Sequence, residues 1–166
     1  MPVQKYIAST SGNLVAAAGT SPFFAMQGSA TKVIKITKLT VDAPTLTLVE
    51  YLTVVARKTS TAVSGGTATA LTAVPLDSSH SASTASIVNV YTAAPTAGSA
   101  VGVISSERLL GQAAVAAAAG LPSDDITIKV GDGVILRGIA EGLSLSFASA
   151  PASAVTLTLE VEWTEE

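Results

Sequence analysis

A chain of 166 residues, 48 % hydrophobic but only 4 % aromatic, is long enough for one domain but poor in large anchors, so a thin core is expected. The formal charge is −3, and Lys32, Lys35 and Lys38 are spaced out between β-branched residues, which excludes a phosphate-tracking surface and hence nucleic acid as a partner. The lack of cysteine excludes disulfides, thiolate nucleophiles and Cys-based metal sites, and no stretch approaches the roughly 20 apolar residues of a membrane helix.

Residues 1–30 are rich in Ser, Gly and Ala around one apolar knot, Pro22-Phe23-Phe24-Ala25-Met26. They are expected to form an N-terminal arm, or a short strand plus loop, beside a β-domain of residues 31–166. Lys5 is the only early positive charge and Leu14–Ala18 is too short for a signal-peptide core, so synthesis and folding in the cytosol are expected.

Thr31 to Val41 reads as a strand. Ile34 and Ile36 share one phase and Leu39 and Val41 the other, which predicts a β-bulge near Thr37-Lys38. Asp42-Ala43-Pro44 reads as a turn. Thr45 to Arg57 follows as the longest strand candidate, with Leu46, Leu48, Leu52, Val54 and Ala56 on one face. Val49, Tyr51 and Val55 load the other, so partial burial of both faces is expected. Lys58 to Thr84 is polar and long for a loop, which suggests short edge strands or a surface function.

Ala85 to Thr92 and Ala100 to Leu110 are the next strands. Gln112 to Ala119 is rich in Ala but short and without an amphipathic face, so it reads as a loop or single turn. Ile126, Ile128 and Val130 alternate with polar residues, and Gly131-Asp132-Gly133 predicts a tight hairpin turn. Val134 to Ile139 and Leu143 to Phe147 precede the cleanest signal in the chain. Val155 to Trp163 is apolar at every odd position and Thr or Glu at every even one, the period of a half-buried strand. About eight short strands separated by turn signals predict an all-β fold, an antiparallel jelly-roll-like β-sandwich.

Residues able to carry chemistry are few. His80, the only histidine, lies in a Ser-rich loop near Asp77 and Ser79 and reads as a solvated loop residue. Asp124-Asp125 lacks the pattern of a calcium loop and Asp132 is a turn residue. Glu107-Arg108 reads as a charged pair at a strand end. A glycosidase would need two facing carboxylates, for which Glu50 and Glu141 are the nearest candidates. Glu160, Glu162, Glu165 and Glu166 read as the solvated face and tail of the last strand. No catalytic, cofactor-binding or metal site is expected. Phe23, Phe24, Met26 and Trp163 have two readings, core or subunit interface; the interface reading would let association complete a thin core.

Four stretches carry a resemblance: Thr59 through Ser64-Gly65-Gly66-Thr67; Thr72 through Ser78; Ala94-Pro95-Thr96 with Gly102-Val103-Ile104; and Leu157 through Glu165. Residues 31–166 resemble small virion proteins of tailed bacteriophages, and the whole looks like a jelly-roll capsid decoration, or cement, protein. The resemblance implies a non-enzymatic viral structural protein made in the host cytoplasm. It implies a homotrimer on the outer capsid surface of the virion, braced against the major capsid protein of the shell, with no cofactor. The alternative on the same fold is a head- or tail-fibre module for host-surface adhesion.

Overall fold

In the computed structural model, which describes residues 3–10, 14–16, 19–46, 49–113, 125–128 and 130–166, the last strand sits where its pattern requires. Leu157, Leu159, Val161 and Trp163 of Thr156–Glu165 point inward, and Thr156, Thr158, Glu160 and Glu162 lie half-buried on the other face. Numbered along the chain, the strands are β1 (Gln4–Ser9), β2 (Leu14–Val15), β3 (Phe24–Gln27), β4 (Val33–Leu46), β5 (Glu50–Thr59), β6 (Thr67–Ala70) and β7 (Val74–Pro75). They continue with β8 (Ile87–Ala93), β9 (Ala100–Ala113), β10 (Asp125–Thr127), β11 (Val134–Arg137), β12 (Gly142–Phe147) and β13 (Thr156–Glu165).

These thirteen strands form two antiparallel sheets, and no helix occurs among the described residues. Sheet 1 runs β7-β1-β13-β4, with β2 on the end of β13 and β10 and β11 along the far edge of β4. Sheet 2 runs β6-β8-β3-β12-β5-β9. The end of β9 pairs in parallel with the end of β4 and joins the two. The expected all-β sandwich is therefore what the chain builds, from more strands than the eight expected, the additional ones being short and β4 and β9 running to 14 residues each.

One core fills the space between the sheets, from Tyr6 and Phe23 through Leu52, Leu109 and Leu145 to Trp163. Two aromatic pairs anchor it. Tyr6 stacks on Trp163 directly across the β1–β13 ladder at 5.6 Å, and Phe23 meets Phe147 at 4.7 Å. The accessible surface of 7787 Å² is close to the roughly 7,600 Å² of a compact monomer of this mass. A single chain thus closes its own core, and the thin-core argument for association falls.

The first thirty residues are not set apart as an arm. β1 lies between β13 and β7, and β3 lies between β8 and β12. The physical reason is the apolar knot: Phe24 and Met26 alternate into the core with Phe23 beside them, and burying three large side chains draws the segment into sheet 2.

The predicted bulge is present, because Glu162 opposes Lys38 while Trp163 opposes Ile36, leaving Thr37 as the extra residue. Two turn expectations need correction. Asp42-Ala43-Pro44 does not reverse the chain. β4 continues through it to Leu46, and a register shift places residues 43 and 44 opposite one residue of β13, a bulge where proline's missing N–H is tolerated. Gly131-Asp132-Gly133 does form a tight turn, with Gly133 donating to the Val130 carbonyl at 2.9 Å. It is not a hairpin, since β10 and β11 run in the same direction along β4 and the turn is a pouch in one interrupted edge. Lys58 to Thr84 holds the short edge strands β6 and β7, one on each sheet. Of Gln112 to Ala119, residues 114–119 lie outside the described residues, as does Asp124.

Candidate functional site

Sheet 2 has an outer face as well as a core face, and half of it is covered. Ser60 to Gly66 and Ala94 to Ser99 lie side by side, joined by Ser60 donating to the Ser99 carbonyl and by mutual bonds between Ser64 and Thr96. Val63 from this double strap packs on Ala25 and Tyr91 as a second small core, and the Gln27 amide reaches the Val63 carbonyl. The strap needs glycine at one contact: a Cβ on Gly98 would lie 2.0 Å from the Thr61 carbonyl oxygen.

Among the described residues no strap covers the other half, over β5 and β9. Leu52, Val54, Ala56 and Leu109 face the core, so alternation turns Tyr51, Thr53, Val55 and Arg57 outward beside Leu110, Arg108, Ser106 and Val103. Tyr51 is 65 % exposed, Val101 64 % and Val103 60 %; only Val55 is buried, so the expected two-sided burial of this strand holds in part. The Arg108 guanidinium lies over the Tyr51 ring, 4.6 Å from its centroid. Arg57 donates to Ser146 Oγ. Neither arginine has an ion pair among the described residues, and no outward position of β5 or β9 carries a carboxylate. Tyrosine and arginine are the side chains enriched in protein-contact surfaces, and both stand exposed here.

Beside this face runs the edge of β9. From Ala100 to Gly111 it pairs with β5 alone among the described strands. Two register shifts make Val101 and Ile104 extra residues there, and bulges hinder another strand from adding to an edge.

The residues singled out for a subunit interface lie elsewhere. Phe23, Phe24 and Met26 are fully buried and Trp163 is 1 % exposed, so all four belong to the core of the single chain and offer a partner no surface. Their size and apolarity were legible; which of two apolar destinations they reach depends on long-range pairing.

Other candidates resolve into structural roles. His80 is less solvated than expected, with its side chain 18 % exposed and Nε2 3.8 Å from the Asp77 carboxylate. Ser79 donates both its N–H and its hydroxyl to Asp77, so the serine is bonded to the acid and the order of a Ser-His-Asp triad is not formed. Those bonds from Ser79 hold the Asp77 carboxyl below its usual range. Glu50 accepts from Ala152 at the start of β5, whereas Glu141 stands beside the far end of that strand, roughly 30 Å away by strand rise, so they cannot flank one bond. Glu141 accepts from the Arg137 N–H and pairs with Lys58 at 3.2 Å; the Arg137 bond chiefly lowers its pKa. Glu107 and Arg108, adjacent in β9, project to opposite faces and do not pair.

On the outer face of sheet 1 a shallow cleft of about 350 Å³ lies between Ser9, Thr40, Asp42, Thr158 and Glu160. Lys38 spans Glu160 at 3.0 Å and Glu162 at 3.3 Å, and these bonds raise its pKa.

Sequence reasoning missed Glu165, read as solvated tail. It is fully buried, and its carboxylate accepts from Ser83 Oγ at 2.6 Å, Thr84 N at 3.0 Å, Thr84 Oγ1 at 2.8 Å and Trp163 Nε1 at 3.1 Å, with Lys32 Nζ at 3.4 Å. Burial alone would push its pKa up, but the donors from Ser83, Trp163 and Thr84 outweigh this and hold it below the usual carboxylate range. It ties the crossover between β7 and β8 onto β13. The signal was present: position 165 continues the inward phase of 157, 159, 161 and 163.

Compared with known proteins, the chain matches no family model, no curated protein and no solved structure.

Proposed function

We propose that this chain is a non-enzymatic virion protein that decorates the outside of a tailed-phage capsid and stabilises it, as the resemblance to jelly-roll cement proteins implies. The observation that carries the reading is the bare half of sheet 2, where Tyr51, Val101, Val103, Arg57 and Arg108 stand on two long paired strands. A rigid face of this composition suits contact with a folded partner, here the major capsid protein. Binding only the assembled shell adds RT ln(1 + [L]/Kd) to the cost of opening it, about 2.7 kcal/mol at a hundredfold excess over Kd. In this reading the chain acts as a homotrimer joined through surface contacts, since its core is already closed.

The test uses empty shells assembled from the major capsid protein encoded in the same genome. Thermal opening of the shells is followed with increasing amounts of the chain. The expected result is a saturable rise in opening temperature. No rise, together with saturable adsorption to host cells, would replace this reading with the host-adhesion alternative.

A further inference from the structure

We infer that the bare β5–β9 face takes an acidic protein surface, docking side chain to side chain on the face and not by adding a strand at the β9 edge. The inference deepens the decoration reading and rests on it for the identity of the partner. Three features of the face carry it.

The first is charge. The chain as a whole is acidic, yet the outward positions of β5 and β9 carry Arg57 and Arg108 and no carboxylate. The two guanidinium groups leave the sheet about 13 Å apart along the strand direction, since Arg108 opposes Thr53, four residues before Arg57. By contrast, the lysine at the centre of the outer face of sheet 1, Lys38, is taken up by Glu160 and Glu162. With no acid paired to them among the described residues, the two arginines are open to carboxylates from outside, which guanidinium forks suit geometrically.

The second is anchoring. The Tyr51 ring and the Arg108 guanidinium stack at 4.6 Å, which limits the freedom of both side chains, and Tyr51 is 65 % exposed. Val101 and Val103 supply apolar area at the other end of the same face. A face with rigid apolar ends and a cationic middle matches a partner with carboxylates framed by apolar contacts.

The third decides between face and edge. Strand addition needs a regular ladder of free N–H and C=O groups, and the bulges at Val101 and Ile104 break that ladder twice within five residues.

The experiment compares the full-length chain with R57E/R108E, with S106E, which places an acid on the same face without touching either arginine, and with K5E on the outer face of sheet 1 as a control. Co-sedimentation with the shells described above gives Kd at low and at high salt, and a thermal melt verifies folding of each variant. R57E/R108E and S106E are expected to weaken binding about tenfold or more and to flatten its salt dependence; K5E is expected to bind like the wild type. Wild-type Kd values and salt dependence in the first two variants would overturn the inference and leave the decoration reading intact. If the wild type does not bind shells, that reading falls, and NMR titration of the free chain with poly-L-glutamate decides the inference by itself. Shift changes gathered on Thr53, Arg57, Ser106 and Arg108 uphold it; none, or changes centred on Lys5 and Lys35, overturn it.

Discussion

Glu165 shows how one buried residue can bind distant parts of the chain. A carboxylate removed from water is costly unless its lone pairs are filled, and here Ser83, Thr84, Trp163 and Lys32 all contribute. E165Q keeps the shape but turns an acceptor-only group towards Thr84 into a donor. It is expected to destabilise the fold by about 3 kcal/mol, measured by urea unfolding. The sign of the pH dependence follows from the depressed pKa. The stabilisation is full above the unfolded-state value of about 4.3 and is lost as pH falls through the folded value. Wild-type stability should therefore fall more steeply than that of E165Q as pH drops below about 4.3, because E165Q has no carboxylate to protonate there. Parallel slopes would show that Glu165 contributes nothing through its charge. Trp163 and Tyr6 lie in the same cluster, the phenol donating to the Ser81 carbonyl at 2.8 Å, so the aromatic stack and the acid secure the same crossover.

At the scale of elements, the double strap over sheet 2 depends on close backbone approach. G98A places a methyl against the Thr61 carbonyl and is expected to cost about 2 kcal/mol in thermal or urea unfolding. It should also raise the exposure of Tyr91, readable by its fluorescence quenching. G102A on β9 meets nothing within 4 Å and is expected to be neutral or slightly stabilising, which separates a steric cost from a general effect of replacing strand glycines. These contacts mark the limit of what the sequence carried. β13 was legible throughout, because strict alternation leaves only one way to bury Leu157 to Trp163, and the Thr37 bulge was legible from a change of phase. Asp42-Ala43-Pro44 was misread because a proline signals a turn or a bulge alike, and only the partner strand decides between them. Gly131 to Gly133 was read correctly as a turn, but whether a turn reverses the chain depends on β4 holding both flanking segments on one edge. Arg57 and Arg108 went unremarked as a pair because only the β5–β9 register brings them onto one face.

As a whole molecule, the described residues form a two-sheet sandwich with one main core, a second small core under the strap, and an outer face of sheet 2 that the strap covers over only one half. The closed core predicts that the chain folds at low concentration with a melting temperature independent of dilution, even where native-mass measurement by light scattering gives a trimer. A melting temperature that falls on dilution would mean that subunit contacts are part of the fold. The central claim is that the bare β5–β9 half-face is where the chain meets the capsid. Hydroxyl-radical footprinting of the chain, free and bound to shells, tests this most directly, because it reads side chains and not backbone amides already bonded in the sheet. The account predicts strong protection of Tyr51, Val101, Val103 and Leu110, with Val74, Leu76 and Ile139 unchanged. Protection of Val74, Leu76 or Ile139 with Tyr51 and Val103 still fully reactive would contradict it.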